Sequence, residues 1–371
     1  MNAQPRIGID VRKYRDFGIG TYIQNLLDQF RTYAECSMTL FAAESDAASL
    51  AAQYNNQGWT TEINASPKYS IRELFSLSTQ ASAQKLDVLH CPHYTLPVGL
   101  DCRSVVTIHD LIQLRFPQYF SLPQRTYAKL MIGHACAHAD RIIVDSRFTQ
   151  TDIEQEFPSS IGKIETIPLG VSEHFGRRLS AQENEQFLAR FGLTRPYLLY
   201  VGSAKIHKNI GLLLEGYRRS SISKDVTLVS AGEPISNNSE AVRFFADESF
   251  RRSIKELGRI SDADLASVYQ NAMAVVLPSR YEGFGFSVVE AMKAGVPVIG
   301  ARAASIPEVI GDAGLLFDPD SADELADLIT KIADDEELRR ALVEKGSEHV
   351  RQFSWQACAE KTMHAYLKAL Q

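Results

Sequence analysis

Short apolar runs that end in glycine or polar residues, and then hand over to an amphipathic stretch, recur along the whole chain. That grammar constrains the fold more than any other feature. Arg6 to Val11 alternates short apolar residues, and Gly18-Ile-Gly20 then opens a periodic stretch through Tyr22, Ile23, Leu26, Leu27 and Phe30, which reads as strand, glycine turn and helix. The pattern returns at Val88-Leu89 before His90-Cys91-Pro92, at Ser104 to Ile108 before His109-Asp110, and at Ile142 to Val144 before Asp145-Ser146. A further strand at 164–167 leads through Pro168 and Gly170 into a polar stretch from Ser172 to Asn184, which reads as a domain linker. Beyond it the pattern restarts at Tyr197 to Gly202, Val226 to Gly232, Ala274 to Leu277 and Pro297 to Gly300. Strands alternating with helices imply parallel βαβ units, hence two open α/β sheets. Ligands of such sheets bind beyond the strand carboxyl ends, so the expected site is a cleft between two domains.

The length agrees with that division, because 371 residues predict about two domains at roughly 150 residues each. Lys and Arg number 39 against 45 Asp and Glu, a formal charge of −6. A dedicated nucleic-acid binder carries a basic surplus, so no nucleic-acid partner is expected. Neither a signal-type apolar stretch in the first thirty residues nor a membrane-spanning run is found, which predicts a cytoplasmic protein. Cys36, Cys91, Cys102, Cys136 and Cys358 are sparse and form no C-x-x-C, which argues against structural zinc and a disulfide framework.

Most of the chemistry is concentrated between Ser279 and Gly300. A strand runs into a loop bracketed by Gly283 and Gly285, a helix is predicted to start near Phe286 or Ser287, and Gly295 caps it. Glycines let backbone amides approach a ligand, and a helix start attracts anions, so the turn suits a phosphate or diphosphate. Glu282 in the loop and Glu290 in the second helical turn bracket the same crevice, and carboxylates accept hydrogen bonds from sugar hydroxyls. Either glutamate alone would equally be a solvated side chain or a complement to the helix dipole.

The string Glu282-Gly-Phe-Gly285 to Glu290-Ala-Met, continued by Gly295-Val-Pro297-Val, resembles the E-x7-E signature of the retaining GT-B glycosyltransferases of family 4, the group 1 glycosyl transferases; Lys293 departs from its short form. Tyr200-Val-Gly202-Ser-Ala-Lys-Ile-His-Lys208-Asn209 resembles the family's strand-end loop. Leu257-Gly258-Arg259-Ile260-Ser261 and Ile306-Pro-Glu308 also match its blocks. The resemblance implies a GT-B fold, two Rossmann-like domains with parallel sheets facing across a cleft. Residues 1–172 would form the acceptor domain, with a C-terminal helix over 355–371 packing back onto it, and residues 173–354 the nucleotide-sugar donor domain.

Site roles follow from the resemblance, residue by residue. Glu282 is assigned to donor sugar hydroxyls, Glu290 to the nucleotide ribose and Lys208 to the diphosphate, where charge develops as the glycosidic bond breaks. Phe284, Gly285, Phe286, Ser287 and Val288 would surround sugar and phosphate. Gly202, Ser203, Asn209, Arg259 and Ile260 complete the donor set. Many relatives carry Arg at the position of Ser203, which leaves the second phosphate cation open: Lys205 or His207 replaces it, or Lys208 acts with helix amides alone.

In the first domain, Gly18 and Gly20 resemble the family's N-terminal glycine loop; by themselves they would be a tight turn, and the third glycine of a dinucleotide fingerprint is absent. His109 follows a strand, and the family's matching histidine lies near the donor sugar. Asp110 and Tyr22 are the candidate acceptor contacts. His90 and His93 are too closely spaced to wrap a tetrahedral metal, and Asp262-Ala-Asp264 and Asp318-Pro-Asp320 sit behind Ser261 and Ser321 in capping-box spacing, so no metal is expected. Residues 111–144 carry four basic residues among aromatics, which reads either as an ordinary surface or as peripheral contact with the inner face of a membrane or a lipid-linked acceptor.

The expectation is therefore a retaining hexosyltransferase acting from a nucleoside diphosphate sugar, GDP-mannose favoured, on a hydroxyl of a glycan or lipid-linked acceptor. The alternative is a sugar-nucleotide-binding protein or inactive partner subunit, suggested by Ser203. A two-carboxylate glycoside hydrolase would not need phosphate loops.

Overall fold

A computed structural model describes residues 4–32, 37–55, 58–68 and 70–371. The chain divides into two compact units, one running to Gly170 and including Trp355–Gln371, the other spanning Val171–Ser354.

Seven strands form the sheet of the first unit among the described residues: β1 (Arg6–Asp10), β2 (Ser37–Ala42), β3 (Thr60–Ile63), β4 (Val88–Cys91), β5 (Arg103–Thr107), β6 (Arg141–Val144) and β7 (Ile164–Thr166). Their order is β3-β2-β1-β4-β5-β6-β7 and every pairing is parallel. Strands covered by helices on both faces read as continuous apolar runs rather than alternating ones. Accordingly Met38, Leu40, Phe41 and Ala42 of β2 are buried, as are Ile142, Ile143 and Val144 of β6. Gly8 of β1 is needed for packing, because a Cβ there would lie 2.3 Å from Leu86 Cδ1.

The chain lays down β1 to β3 in one direction and then returns to place β4 on the other side of β1. The order therefore reverses between β1 and β4, the point at which open sheets bind ligands. Just beyond β1, Arg12 is 3% exposed and forms ion pairs with Asp10 at 2.6 Å and Glu73 at 2.9 Å. Breaking one side of a buried pair of this kind costs about 3–5 kcal/mol, so the strand end is fixed.

The last helix, Trp355–Ala369, belongs to the first unit and packs on the helix Ile19–Phe30 and on β5 and β6. It buries Trp355, Cys358, Ala359, Thr362, Met363, Ala365 and Tyr366, the spacing of one helical face. Tyr366 OH lies 2.7 Å from His90 Nδ1, while His90 Nε2 lies 2.8 Å from Thr107 Oγ1. Both ring nitrogens of His90 are thus engaged inside the unit, and burial pushes its pKa down to about 3, keeping it neutral.

The second unit repeats the design with β8 (Tyr197–Gly202), β9 (Thr227–Gly232), β10 (Ile254–Glu256), β11 (Ala274–Leu277), β12 (Val298–Ala301) and β13 (Leu315–Phe317), in the parallel order β10-β9-β8-β11-β12-β13. Here the order reverses between β8 and β11. Ser261 accepts a hydrogen bond from Asp264 N at 3.2 Å and Ser321 from Glu324 N at 3.1 Å. Each is the hydroxyl half of the expected box; Glu324 instead accepts from Asp318 N at 2.7 Å. Among the described residues no three His, Cys, Asp or Glu side chains gather around a common point suited to a metal ion, and no helix is long and apolar enough to cross a membrane. Cys91, Cys102, Cys136 and Cys358 are free thiols, and Cys36 lies outside the described residues.

Candidate functional site

In the second unit the two loops at the order reversal carry most of the expected donor residues. The loop after β8 runs through Ser203 to Asn209, and the loop after β11 runs to the helix Phe286–Lys293. They are tied together by Arg280 N donating to His207 O at 2.8 Å. Glycine is required where they approach other backbone: Gly232 has φ +112° and a Cβ there would fall 2.3 Å from Gly202 O. Ser203 O accepts from Tyr200 OH at 2.7 Å, and Ala204 N donates to Glu233 Oε2 at 3.0 Å. Asn209 adopts φ 59° and donates through Nδ2 to Pro319 O at 2.8 Å. The loop is therefore held from several sides before any ligand arrives.

The helix Phe286–Lys293 starts on Gly285 at φ 103°, with no side-chain cap and no acidic residue in its first turn. Its amino end is electrostatically suited to an anion. Ser305, which patterning overlooked, places its Oγ 2.8 Å from Glu282 O and 3.0 Å from Phe284 O, so one hydroxyl pins both sides of the glycine turn. Phe284 itself is buried against Phe286 and Phe353, at ring separations of 5.9 and 5.6 Å. Its side chain fixes the loop rather than presenting a surface, and Val288 is likewise fully buried.

Lys208 Nζ lies 2.6 Å from Glu282 Oε1, with side-chain exposures of 18% and 14%. Two residues expected at different parts of a donor are therefore partners of each other. Burial pushes the Glu282 carboxyl up, but the charge and hydrogen bond of Lys208 outweigh it and hold the group below its ordinary value. Glu290 behaves oppositely. Its Oε2 accepts from Tyr269 OH at 2.7 Å, yet burial dominates and pushes its pKa up to about 7. Two glutamates that look alike in the sequence are thus given proton affinities shifted in opposite directions by their surroundings.

His207 does not supply the cation missing at Ser203. It is buried, and burial together with Lys208 pushes its pKa down to about 4, so it is neutral at neutral pH. Lys205 is exposed at the same loop. Arg259 and Ile260 follow β10, two strands from the reversal, where Gly258 O accepts from Gly232 N at 2.9 Å.

In the first unit, Gly18 precedes the helix Ile19–Phe30, and Gly20 sits so close to the preceding loop that a Cβ would lie 2.5 Å from Tyr14 O. Gly20 thus has a packing reason of its own. Tyr22, expected at the acceptor, is instead 1% exposed. Its hydroxyl lies 3.3 Å from Thr107 Oγ1 and its ring stands edge-on to His109 at 5.3 Å. It is a core residue that buttresses His109, because a periodic aromatic on the inner face of a helix is drawn into the core. Asp110 accepts from Ile112 N at 3.0 Å and shapes the turn after His109. His109 follows β5 and places Nδ1 2.7 Å from Asp145 Oδ2. Asp145, at the end of β6, figures in the sequence only as a polar residue after an apolar run; its neighbour Ser146 caps the following helix.

Comparison with known proteins bears on what such a pair of sheets does. Residues 181–349 match the family described as Glycosyl transferases group 1, and residues 18–175 match Glycosyltransferase Family 4. The chain is 31% identical to O-antigen chain mannosyltransferase B of Escherichia coli over 282 residues, 75% of this chain and 74% of that protein. It is 30% identical to the MMP alpha-(1->4)-mannosyltransferase of Mycolicibacterium hassiacum over 236 residues, 62% of this chain and 54% of that protein. Among solved structures, sucrose-phosphate synthase from Thermosynechococcus elongatus superimposes with a TM-score of 0.78 at 20% identity, covering 98% of both chains, which supports the GT-B fold. With two reversed-order parallel sheets, glycine-bracketed loops at one of them and a relative matched along three quarters of both chains, this chain belongs to the group 1 glycosyltransferases of the GT-B fold, enzymes that transfer a sugar.

Proposed function

We propose that the chain transfers a hexose, mannose in the first instance, from a nucleoside diphosphate sugar to a hydroxyl of a glycan or lipid-linked acceptor, with retention at the anomeric carbon. The observation that carries the reading is the pair of carboxylates on one glycine-bracketed loop and helix: Glu282 ionised against Lys208, and Glu290 half-buried and hydrogen-bonded by Tyr269 OH. An ionised carboxylate accepts from sugar hydroxyls, a nearby ammonium stabilises the departing diphosphate, and an uncapped helix start adds amide donors. In this reading His109 contacts the donor sugar, and the acceptor proton leaves with the departing diphosphate.

GDP-mannose is the proposed donor, supported by the mannosyltransferase names of the two relatives above; an O-antigen enzyme among them supports a role in bacterial surface polysaccharide synthesis. The proposal extends to peripheral membrane contact through residues 111–144, where Leu122 and Leu130 are exposed. Arg115, Lys129 and Arg141 there face Asp152, Glu156 or Glu165 within the unit, which limits any attraction to anionic lipid.

A panel of GDP-, UDP-, ADP- and dTDP-sugars tests the donor. A ligand present at 100 times its Kd stabilises the folded state by about 2.7 kcal/mol. GDP-mannose is expected to raise Tm most and to be consumed when acceptor is supplied; stabilisation by uridine nucleotides alone would replace it. The anomeric configuration of the product, read by NMR, tests retention.

A further inference from the structure

Both ring nitrogens of His109 face oxygen atoms that only accept. Nδ1 is 2.7 Å from Asp145 Oδ2 and Nε2 is 3.3 Å from the carbonyl of Pro92. A neutral imidazole has one N–H and one lone pair, so in that state one of these contacts would set acceptor against acceptor. Only the doubly protonated ring satisfies both. Asp145 is 3% exposed and its Oδ1 is buried with no hydrogen-bond partner. A buried carboxylate supported on one oxygen is costly unless a full positive charge stands beside it.

We infer that Asp145 is the positioning residue for His109, fixing its ring as an imidazolium that donates Nδ1–H to Asp145 and Nε2–H to the carbonyl of Pro92. His109 then acts as a fixed cation, not as the base that collects the acceptor proton. The inference rests on the proposed contact of His109 with the donor sugar for its catalytic meaning, but the protonation state is a property of the first unit alone.

The surroundings agree in sign. Burial pushes the imidazole pKa down, yet the charge and hydrogen bond of Asp145, with Asp110 on the same loop, raise it above its ordinary value. His90 and His93 lie near it on β4 and the loop beyond, and burial holds both neutral, so neither adds a charge. Tyr22 on the helix Ile19–Phe30 packs edge-on, and burial raises its pKa well above the ordinary value, so it stays neutral. Cys358 on the last helix lies near Asp145, and burial pushes its thiol up to about 12, so it too is neutral. Asp145 and Asp110 are the acidic groups in that set.

The test is a titration of the histidine ring carbons by NMR in the full-length chain, with His109→Gln identifying the His109 signal. The wild-type ring is expected to be mostly protonated at pH 7, with a midpoint higher than the unperturbed value of about 6.5; a ring mostly neutral at pH 7 overturns the inference. In Asp145→Asn, nearly isosteric but uncharged, the midpoint is expected to fall by at least about one unit, a tenfold change in proton affinity. The kcat/KM profile is then expected to lose activity at neutral pH and recover it towards acid. If that variant fails to fold, the wild-type titration still decides the question. A fall in rate that is equal at all pH values, with the His109 midpoint unmoved, would make Asp145 merely structural and refute the inference. Absence of transfer from every donor would count against the proposed function instead, and would leave the titration result standing.

Discussion

Replacing Glu290 by Gln makes a sharp test of the electrostatics of the second unit, because it exchanges a titrating group for a neutral one of the same shape. In the folded chain burial raises the Glu290 pKa from 4.5 to about 7, against the pull of the Tyr269 hydroxyl and with a small push from Asp262. Between those two values the folded state binds more protons than the unfolded state, so stability falls as pH rises through the window. Below 4.5 both states are protonated and nothing is lost; above 7 the full cost is present. At 1.36 kcal/mol per unit the cost is about 3 kcal/mol. Glu290→Gln keeps an oxygen to accept from Tyr269 and removes that cost. It should therefore stabilise the chain by up to about 3 kcal/mol at pH 8 and by nearly nothing at pH 4, and a domain of this size shifts about 2–4 °C in Tm per kcal/mol. Thermal unfolding from pH 4 to 8.5 without nucleotide reads the difference directly. A variant no more stable than wild type at pH 8, or one whose stability follows pH with the wild-type slope, would refute the reasoning. Under the proposed ribose contact the same variant weakens nucleotide binding, so stability and affinity should move in opposite directions.

Lys208→Met removes the ammonium beside Glu282; steady-state kinetics should show transfer falling at least about 100-fold, as for loss of one charge-stabilising donor, while circular dichroism shows the fold retained. Gly232→Ala should lower stability by about 2–4 kcal/mol, since φ is +112° and the new Cβ meets Gly202 O at 2.3 Å; a Tm within a degree of wild type would show that the two strand ends can part. Ser305→Ala leaves the carbonyls of Glu282 and Phe284 without their shared hydroxyl. It should cost about 1–2 kcal/mol in denaturant unfolding and raise KM for the nucleotide sugar as the glycine turn loosens.

The order of strands and helices was legible because apolar runs and glycine turns are local signals. Strands with four or more buried positions, such as Tyr197 to Tyr200 in Tyr197–Gly202, announce themselves in the sequence. The edge strands Thr60–Ile63 and Ile254–Glu256 do not, since they are short and partly exposed and gain their identity from one neighbour only. β2 was overlooked although it is apolar, since it follows the helix Ile19–Phe30 without glycine or proline punctuation. The glutamates, Lys208 and His109 were visible as motif residues at strand ends. What distinguished Glu282 from Glu290 was not visible, because Lys208 lies 74 residues from one and Tyr269 lies 21 residues from the other. Ser305 and Asp145 escaped for the same reason: an unremarkable serine and an aspartate before a helix gain importance only from what the fold brings beside them.

The second unit is a long excursion out of the first: the chain leaves at Gly170 and re-enters at Trp355. The two points adjoin, since a Cβ on Gly170 would fall 2.2 Å from Trp355 N, and on the other side Val171 N donates to Phe353 O at 3.1 Å. Synthesis on the ribosome therefore reverses the usual order in which amino-terminal domains finish first. The 171–354 unit is complete while its predecessor still lacks the helix that covers β5, β6 and His90. The earlier sheet waits, with the faces that Trp355 and Tyr366 will cover still open, until the helix Trp355–Ala369 emerges.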